Sequence, residues 1–445
     1  MIVPAEALPI IQAIAPAFTR PTFQRFVLLM GAALLCTGRR TAANLLRSAA
    51  PLAEGHITSY QRVFSSAAWS AMRLACALCR LVVALLPPDQ PIVLAGDDTV
   101  DGHPGRRVYG KARHRDPVRS SHGSTAWRYG HKWVVLAVLV RFPLATRPWA
   151  LPVLVALYRS EEDNRARHRP HHTPAQIMCQ LLRILRMWFP DRRLIFVGDA
   201  GYGTHEVARF AHRHRLGLTL VSKLHPDANL FEPPPPYAGQ GRPRVKGQAL
   251  PKPRQAVAEA RRLRRRTVAW YGGGTRRVGL LSRTGHWYKS GAGLVPIRWV
   301  FVRDRDGTHR DEYFFSTDPT LNPATIIETY TARWNLETTF QELRAWLGLE
   351  TTRGWCRNTV LRMAPCLFGL YTAVALLYHA LPESKRSGRV EWPGKTGVTF
   401  SDALMAVRRW LWREWIFPQV GLASVVQELP EPVQDLLLNG LAPAA

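Results

Sequence analysis

Apolar residues in the first ninety positions recur at helical intervals. The run Phe23–Cys36 is almost continuously apolar, and Thr41-Ala-Ala-Asn-Leu-Leu-Arg47 has a cap and the opening turns of a further helix. With Ile57–Phe64 behind it, presenting Tyr60, Gln61 and Arg62, this stretch resembles a helix-turn-helix unit, and a plain helical bundle fits the same pattern. At Pro91 the period changes. Ile92-Val93-Leu94-Ala95 reads as a short buried strand that runs into Gly96-Asp97-Asp98-Thr99. Lys132–Phe142 and Trp149–Tyr158 are strand-like, and Pro174–Trp188 has helical spacing through Ile177, Leu181, Leu182 and Leu185. Leu194-Ile195-Phe196-Val197 is another apolar strand, ending in Gly198-Asp199-Ala200-Gly201. A short helix, Glu206–His212, and a strand, Leu216–Val221, follow it. That order predicts a mixed α/β layer.

The pattern breaks over 225–266, where four prolines (233–236) and glycine-rich basic sequence predict an exposed, mobile insertion. Residues 267–317 alternate strongly, through Val268 and Trp270, Ile297 and Trp299, and Tyr313 and Phe315, and predict antiparallel strands. Helical spacing then returns and holds to about residue 381. The expected organisation is a helical region at 1–90, a first core portion at 91–224, a basic and β-rich insertion at 225–317, a second core portion at 318–381 and C-terminal helices at 382–445.

Charge adds a partner to this outline. A formal net charge of +28 at pH 7 exceeds what solubility requires and points to a polyanion, of which nucleic acid is the commonest. Arg261, Arg262, Arg264, Arg265 and Arg266 are expected to track a DNA backbone. The six cysteines form no disulfide framework, and Cys76 and Cys79 read as core thiols within an apolar helix. No secretory signal is visible. The apolar segment Thr359–Leu381 carries Arg362, Pro365 and His379, so it reads as a buried helix rather than a membrane span. A cytoplasmic protein without a membrane partner is expected.

Asp98 and Asp199 each come shortly after four apolar residues, Asp98 beyond Gly96-Asp97 and Asp199 beyond Gly198, at the carboxyl ends of two strands. Carboxylates there point into the crevice where α/β sheets bind ligands. Asp97 competes for the first position, but successive strand residues point to opposite faces. The third feature is a helix opened by Asn322-Pro323 and running through Arg344. At about 100° per residue, Tyr330, Arg333, Glu337 and Arg344 fall within roughly 60° of one another, while Leu336, Phe340, Leu343 and Leu347 form an adjacent apolar stripe. One stripe is expected to dock on the sheet and the other to line a cleft.

The spacing Tyr330-x2-Arg333-x3-Glu337-x6-Arg344 resembles the Tyr-Arg-Glu-Lys signature of a large group of DDE-type insertion-sequence transposases, with Arg at the final position. Gly96-Asp97-Asp98-Thr99 and Val197-Gly198-Asp199-Ala200-Gly201-Tyr202 are similar to the two strand ends that carry the group's aspartates. The likeness extends over roughly residues 91–380. It implies a ribonuclease-H-like core interrupted by a β-rich insertion. It also implies Asp98, Asp199 and Glu337 as ligands of two Mg2+ ions, with Mn2+ as a substitute, because hard cations prefer oxygen donors. Asp98 is the choice because the group's ligand immediately precedes Thr. Tyr330, Arg333 and Arg344 would hold phosphates of the transposon end, and Trp299 and Tyr313 are the candidates for stacking a flipped base.

The implied partners are double-stranded DNA, at terminal inverted repeats and target, and a second copy of the chain on that DNA. The implied setting is bacterial cytoplasm, at the nucleoid. Two other readings stay open: a structure-specific nuclease on the same fold that does not join strands, and a non-catalytic DNA-binding protein derived from a transposase.

Overall fold

A computed structural model describes residues 4–116, 123–237, 239 and 241–443. Its strands are β1 (Ile92–Gly102), β2 (Ala112–Arg115), β3 (Trp127–Val140), β4 (Trp149–Tyr158), β5 (Leu194–Gly198), β6 (Leu218–Lys223), β7 (Leu230–Phe231), β8 (Arg264–Ala269), β9 (Thr275–Lys289), β10 (Gly293–Asp304) and β11 (Glu312–Ser316). They form one 11-stranded sheet. At its centre β4, β3 and β1 pair antiparallel, and β5 and then β6 continue parallel to β1. This order and these directions make the ribonuclease-H-like core that the sequence predicts.

The insertion does not stand apart from that core. β11 pairs antiparallel with β6, and β10 and β9 follow, so the β-rich region extends the same sheet. The arginine-rich run is also more ordered than its composition suggests. Arg264, Arg265 and Arg266 lie in β8, which pairs with β9, while Arg261 and Arg262 lead into that strand. All five are exposed.

Local chemistry sets the helix boundaries. Thr173 caps Pro174–Trp188 in a reciprocal box with Gln176, and Thr204 caps His205–Arg213. The Asn322 side chain accepts from the Ala324 amide ahead of Pro323, as the sequence predicts. The first two helices lie on the face of the sheet that carries Gly96, which sits against Met178 and Phe196. The helices Pro323–Ala332 and Asn335–Trp346 cover the other face.

The N-terminal helices pack as a bundle against Arg357–Ala380. That helix is long and apolar enough to cross a membrane by composition, yet here it packs on β4 and the helix Ala71–Val83. Within the helix-turn-helix candidate, Gln61 and Arg62 are exposed. Tyr60 is buried, its hydroxyl donating to the Glu54 carbonyl, so it presents nothing to a groove. All six cysteines are free thiols.

A buried ionic network ties the helix of Glu337 to its neighbours. Arg147 donates to Glu342 (3.1 Å) and Asn335 (3.1 Å), and the Tyr371 hydroxyl donates to the second Glu342 oxygen (2.6 Å). Removing one partner leaves a charge uncompensated in a site closed to water. Glu342→Leu is therefore expected to cost about 3 kcal/mol in urea unfolding, well above the roughly 1 kcal/mol expected for Tyr371→Phe. Equal small losses would show that the network is not a load on stability.

Candidate active site

The helix expected to run unbroken from Pro323 to Arg344 is interrupted. It ends at Ala332 and restarts at Asn335, with Arg333 and Trp334 between. Both keep helical dihedrals, but the amides of Arg333, Trp334, Leu336 and Glu337 bond to carbonyls three residues back, the tighter 3-10 pattern. Asn335 Nδ2 donates to the Ala332 carbonyl at 2.8 Å, satisfying an acceptor that the break frees.

At the break sits Arg333. One guanidinium nitrogen lies 2.5 Å from Asp97 Oδ2 and the other 2.9 Å from Glu337 Oε1, with the Arg333 side chain only 8% exposed. The carboxylate facing Glu337 across Arg333 is thus that of Asp97, where Asp98 was expected. Successive residues of β1 face opposite ways. Asp97 and Thr99 look toward the signature helices, where Arg344 hydrogen-bonds Thr99. Asp98 looks toward the other face, where its Oδ2 pairs with Lys132 at 2.7 Å and its Oδ1 accepts from the Tyr202 hydroxyl at 3.4 Å.

Asp199 lies just beyond β5, its Oδ1 accepting from the amides of Gly201 (2.9 Å) and Tyr202 (3.3 Å). Ser222 on β6 holds the backbone of this turn by donating to the carbonyls of Gly198 and Asp199. Asp199 is near enough to influence both Asp97 and Glu337 electrostatically.

The charge balance of this pocket is incomplete. Burial, with Asp199 and Asp98 adding to it, pushes the Asp97 carboxyl up to about 7 in spite of Arg333. Burial also raises Glu337, again against the pull of Arg333 and with Asp199 adding to the rise. Burial alone would lower Arg333, but the Asp97 carboxylate, Tyr330 and Glu337 outweigh it and hold the guanidinium firmly charged. One arginine therefore faces three acids, and the donors are all carboxylate oxygens. Such a set suits a hard divalent cation. Among the described residues, no three His, Cys, Asp or Glu side chains are gathered closely enough to hold one ion. Arg333 stands between two of the candidates.

The remaining predicted residues divide. Tyr330 is 3% exposed and stacks on Phe314 at 4.3 Å, with Arg333 at 5.8 Å from its ring, so it buttresses the arginine instead of facing a ligand. Arg344 is held by Glu350 (3.0 Å) and Thr99. Trp299 is 2% exposed within the β9–β10–β11 sheet and offers no face to a base, which corrects its assignment as a stacking residue. Tyr313 is half-buried against Phe301 at 5.0 Å. Among the described residues, none of the five exposed arginines between 261 and 266 has an acidic partner within ion-pair distance.

Residues that sequence reading passed over complete the pocket's rim. Asp101, on the same face of β1 as Asp97, is buried beside Glu350, Arg128 and Arg344. Opposite it on β3 lies His131, in a buried group with His103 and Trp133. The alternation of β1 outward from Asp97 is the signal that would have found Asp101.

Residues 13–277 match the family described as "DDE superfamily endonuclease", and because that match spans more than half of the sequence the chain belongs to this family. The family "Archaeal putative transposase ISC1217" matches residues 273–365, the stretch that holds the broken signature helix. No curated protein matches the chain. Among solved structures, the chain is similar to one described as "Cryo-EM structure of piggyBac transposase synaptic complex with hairpin DNA (SNHP)". The identity is 12% and the TM-score 0.43, with 99% of this chain and 86% of that chain covered, a likeness too distant to assign anything by itself.

Asp101 makes the electrostatics of the rim testable. Burial first, and then the Glu350 carboxylate, push it up to about 7 against Trp133, Arg128 and Arg344. A free aspartate titrates near 3.9, so between about pH 4 and 7 the native state holds a proton that the unfolded chain has released. The stability linked to this group therefore falls as pH rises through that window. Asp101→Asn escapes the loss. In urea unfolding the variant should match the parent near pH 4 and exceed it by about 2 kcal/mol near pH 8. A difference that stays flat with pH contradicts the assignment, and the buried histidines cancel because both proteins carry them.

Proposed function

We propose that this chain is a DNA transposase of the insertion-sequence type that carries the Tyr-Arg-Glu-Lys signature, cutting phosphodiester bonds at transposon ends and joining them to target DNA. The observation that carries this reading is the bridge from Asp97 through Arg333 to Glu337, with Asp199 beside it, in a chain of the DDE endonuclease superfamily. Asp97 replaces Asp98 as first ligand in this reading, because Asp98 is paired with Lys132 on the opposite face.

Asp97, Asp199 and Glu337 would hold two divalent ions, Mg2+ or Mn2+. When bound, these supply activation of water and then of the freed 3′-hydroxyl, and offset charge on the departing oxygen. The protein's own contribution begins with Arg333. Without a bound cation it pairs with both buried carboxyls and partly offsets the effect of their burial. Were those carboxylates to hold another cation, the guanidinium would be free to meet a phosphate in the bidentate manner that arginine favours.

Tyr330 supports the arginine by lying under its side chain. Arg344 braces Thr99, two residues beyond Asp97, and so holds the strand. The exposed arginines of β8 and its approach would follow duplex backbone, and Gln61 and Arg62 would add contacts from the helical region. Transposition joins two ends, so a dimer of the chain on DNA belongs to the proposal.

Cleavage of a duplex bearing the element's own ends, with Mg2+, tests the reading. The parent should nick the ends and then yield joined product, whereas Glu337→Gln should cut about 10³-fold more slowly or less. Equal cutting by both contradicts the mechanism. Efficient cutting by the parent with no joined product favours the non-joining nuclease.

A further inference from the structure

β3 starts before the core sheet does. Its ladder with β1 ends at Gly130, opposite Gly102; beyond that point Trp127–Tyr129 pairs with β2 in a ribbon, and the Tyr129 carbonyl accepts one further bond from the His103 amide. Gly130 marks the departure, because a Cβ there would collide with the Asp101 carbonyl and only glycine lets the strands approach so closely. On the ribbon Trp127 is 50% exposed and Tyr129 59% exposed. Two positions apart on one strand, they share a face. Continuing along that face come His131 and Trp133, opposite Asp101 and Thr99, so the two open rings stand on the same side of the sheet as Asp97.

Cations attend both rings. The Arg113 guanidinium lies 4.3 Å from the Trp127 ring centre and the Lys111 ammonium 5.8 Å from that of Tyr129. Arg115, directly opposite Trp127 in the ladder, is exposed. Exposed aromatic faces interleaved with cations are the physical signature of a surface that stacks unpaired bases while neutralising their backbone. A duplex offers no such face along its length, since neighbouring pairs cover each base. Spacing agrees with an extended strand. Residues two apart on a β-strand are about 6.6 Å apart, roughly twice the 3.4 Å step of stacked DNA.

We propose that Trp127 and Tyr129, with Lys111 and Arg113, form a stacking platform for an unpaired stretch of DNA leading to the active site. The inference rests on the reading of the chain as a DNA transposase. It supplies the base-stacking surface that buried Trp299 cannot provide.

The experiment uses the full chain without divalent metal, and fluorescence anisotropy with two probes: a labelled 20-nucleotide oligomer of deoxythymidine and a duplex of the element's end. The parent should bind both. The double variant Trp127→Ala/Tyr129→Ala should bind the single strand about 30-fold more weakly while duplex binding changes by less than about twofold. Trp127→Phe/Tyr129→Phe, which keeps the stacking faces, should return to within about threefold of the parent. Unchanged binding of the oligomer by the alanine variant overturns the platform alone, as does an equal loss on both probes. A parent that binds neither probe overturns the DNA reading together with the platform.

Discussion

The candidate site depends on one buried ion triad. Arg333 sits between Asp97 and Glu337, nearly closed to water, and holds together a strand and a helix whose carboxylates would otherwise repel. Buried charges persist only when paired and hydrogen-bonded, and here the pairing falls short by design of composition: one guanidinium serves an acidic pocket that also includes Asp199. Burial first, and then the neighbouring Asp199 charge, raises the carboxyls of Asp97 and Glu337. Binding and structure are thereby coupled, since whatever cation the carboxylates accept must take over the charge balance that Arg333 now provides.

The triad sits at the break between the two helical segments. At the tightened turn of Arg333 and Trp334, where Asn335 bonds the Ala332 carbonyl, the guanidinium reaches both Asp97 and Glu337. Behind the turn, Tyr330 on Phe314 and the Arg147–Glu342–Tyr371 network fix the two helical segments to the sheet. Rigid support lies outside the pocket, and the one long flexible side chain lies inside it.

Much of this was legible in the residues. The strand runs ending in aspartates, the helix Pro174–Trp188 and the strand Trp149–Tyr158 follow directly from period and capping, and the Tyr330 to Arg344 spacing located the acidic helix. Which of Asp97 and Asp98 faces Glu337 was not legible by pattern. β1 is covered on both faces, so its apolar residues form an unbroken run with no alternation to reveal which side faces the helix. Burial of Trp299 and Tyr330 was hidden for a related reason: periodicity shows that a residue has a buried side but not what covers it, and Trp299 lies on the face of Phe315 and Trp287 while Tyr330 stacks on Phe314 on the other face. The break at Arg333 carries no proline or glycine, so no local signal marks it, and the Asp97 it pairs with lies far away in the sequence.

The most direct test of the account is titration of the full chain, bound to element-end DNA, with Mn2+, followed by loss of the free ion's paramagnetic resonance signal. Asp97→Asn should weaken binding by about tenfold or more, while Asp98→Asn should stay within about threefold of the parent. The reverse order, with Asp98→Asn losing the ion and Asp97→Asn keeping it, would contradict the assignment of the Arg333-bridged carboxylates as the metal-holding pair.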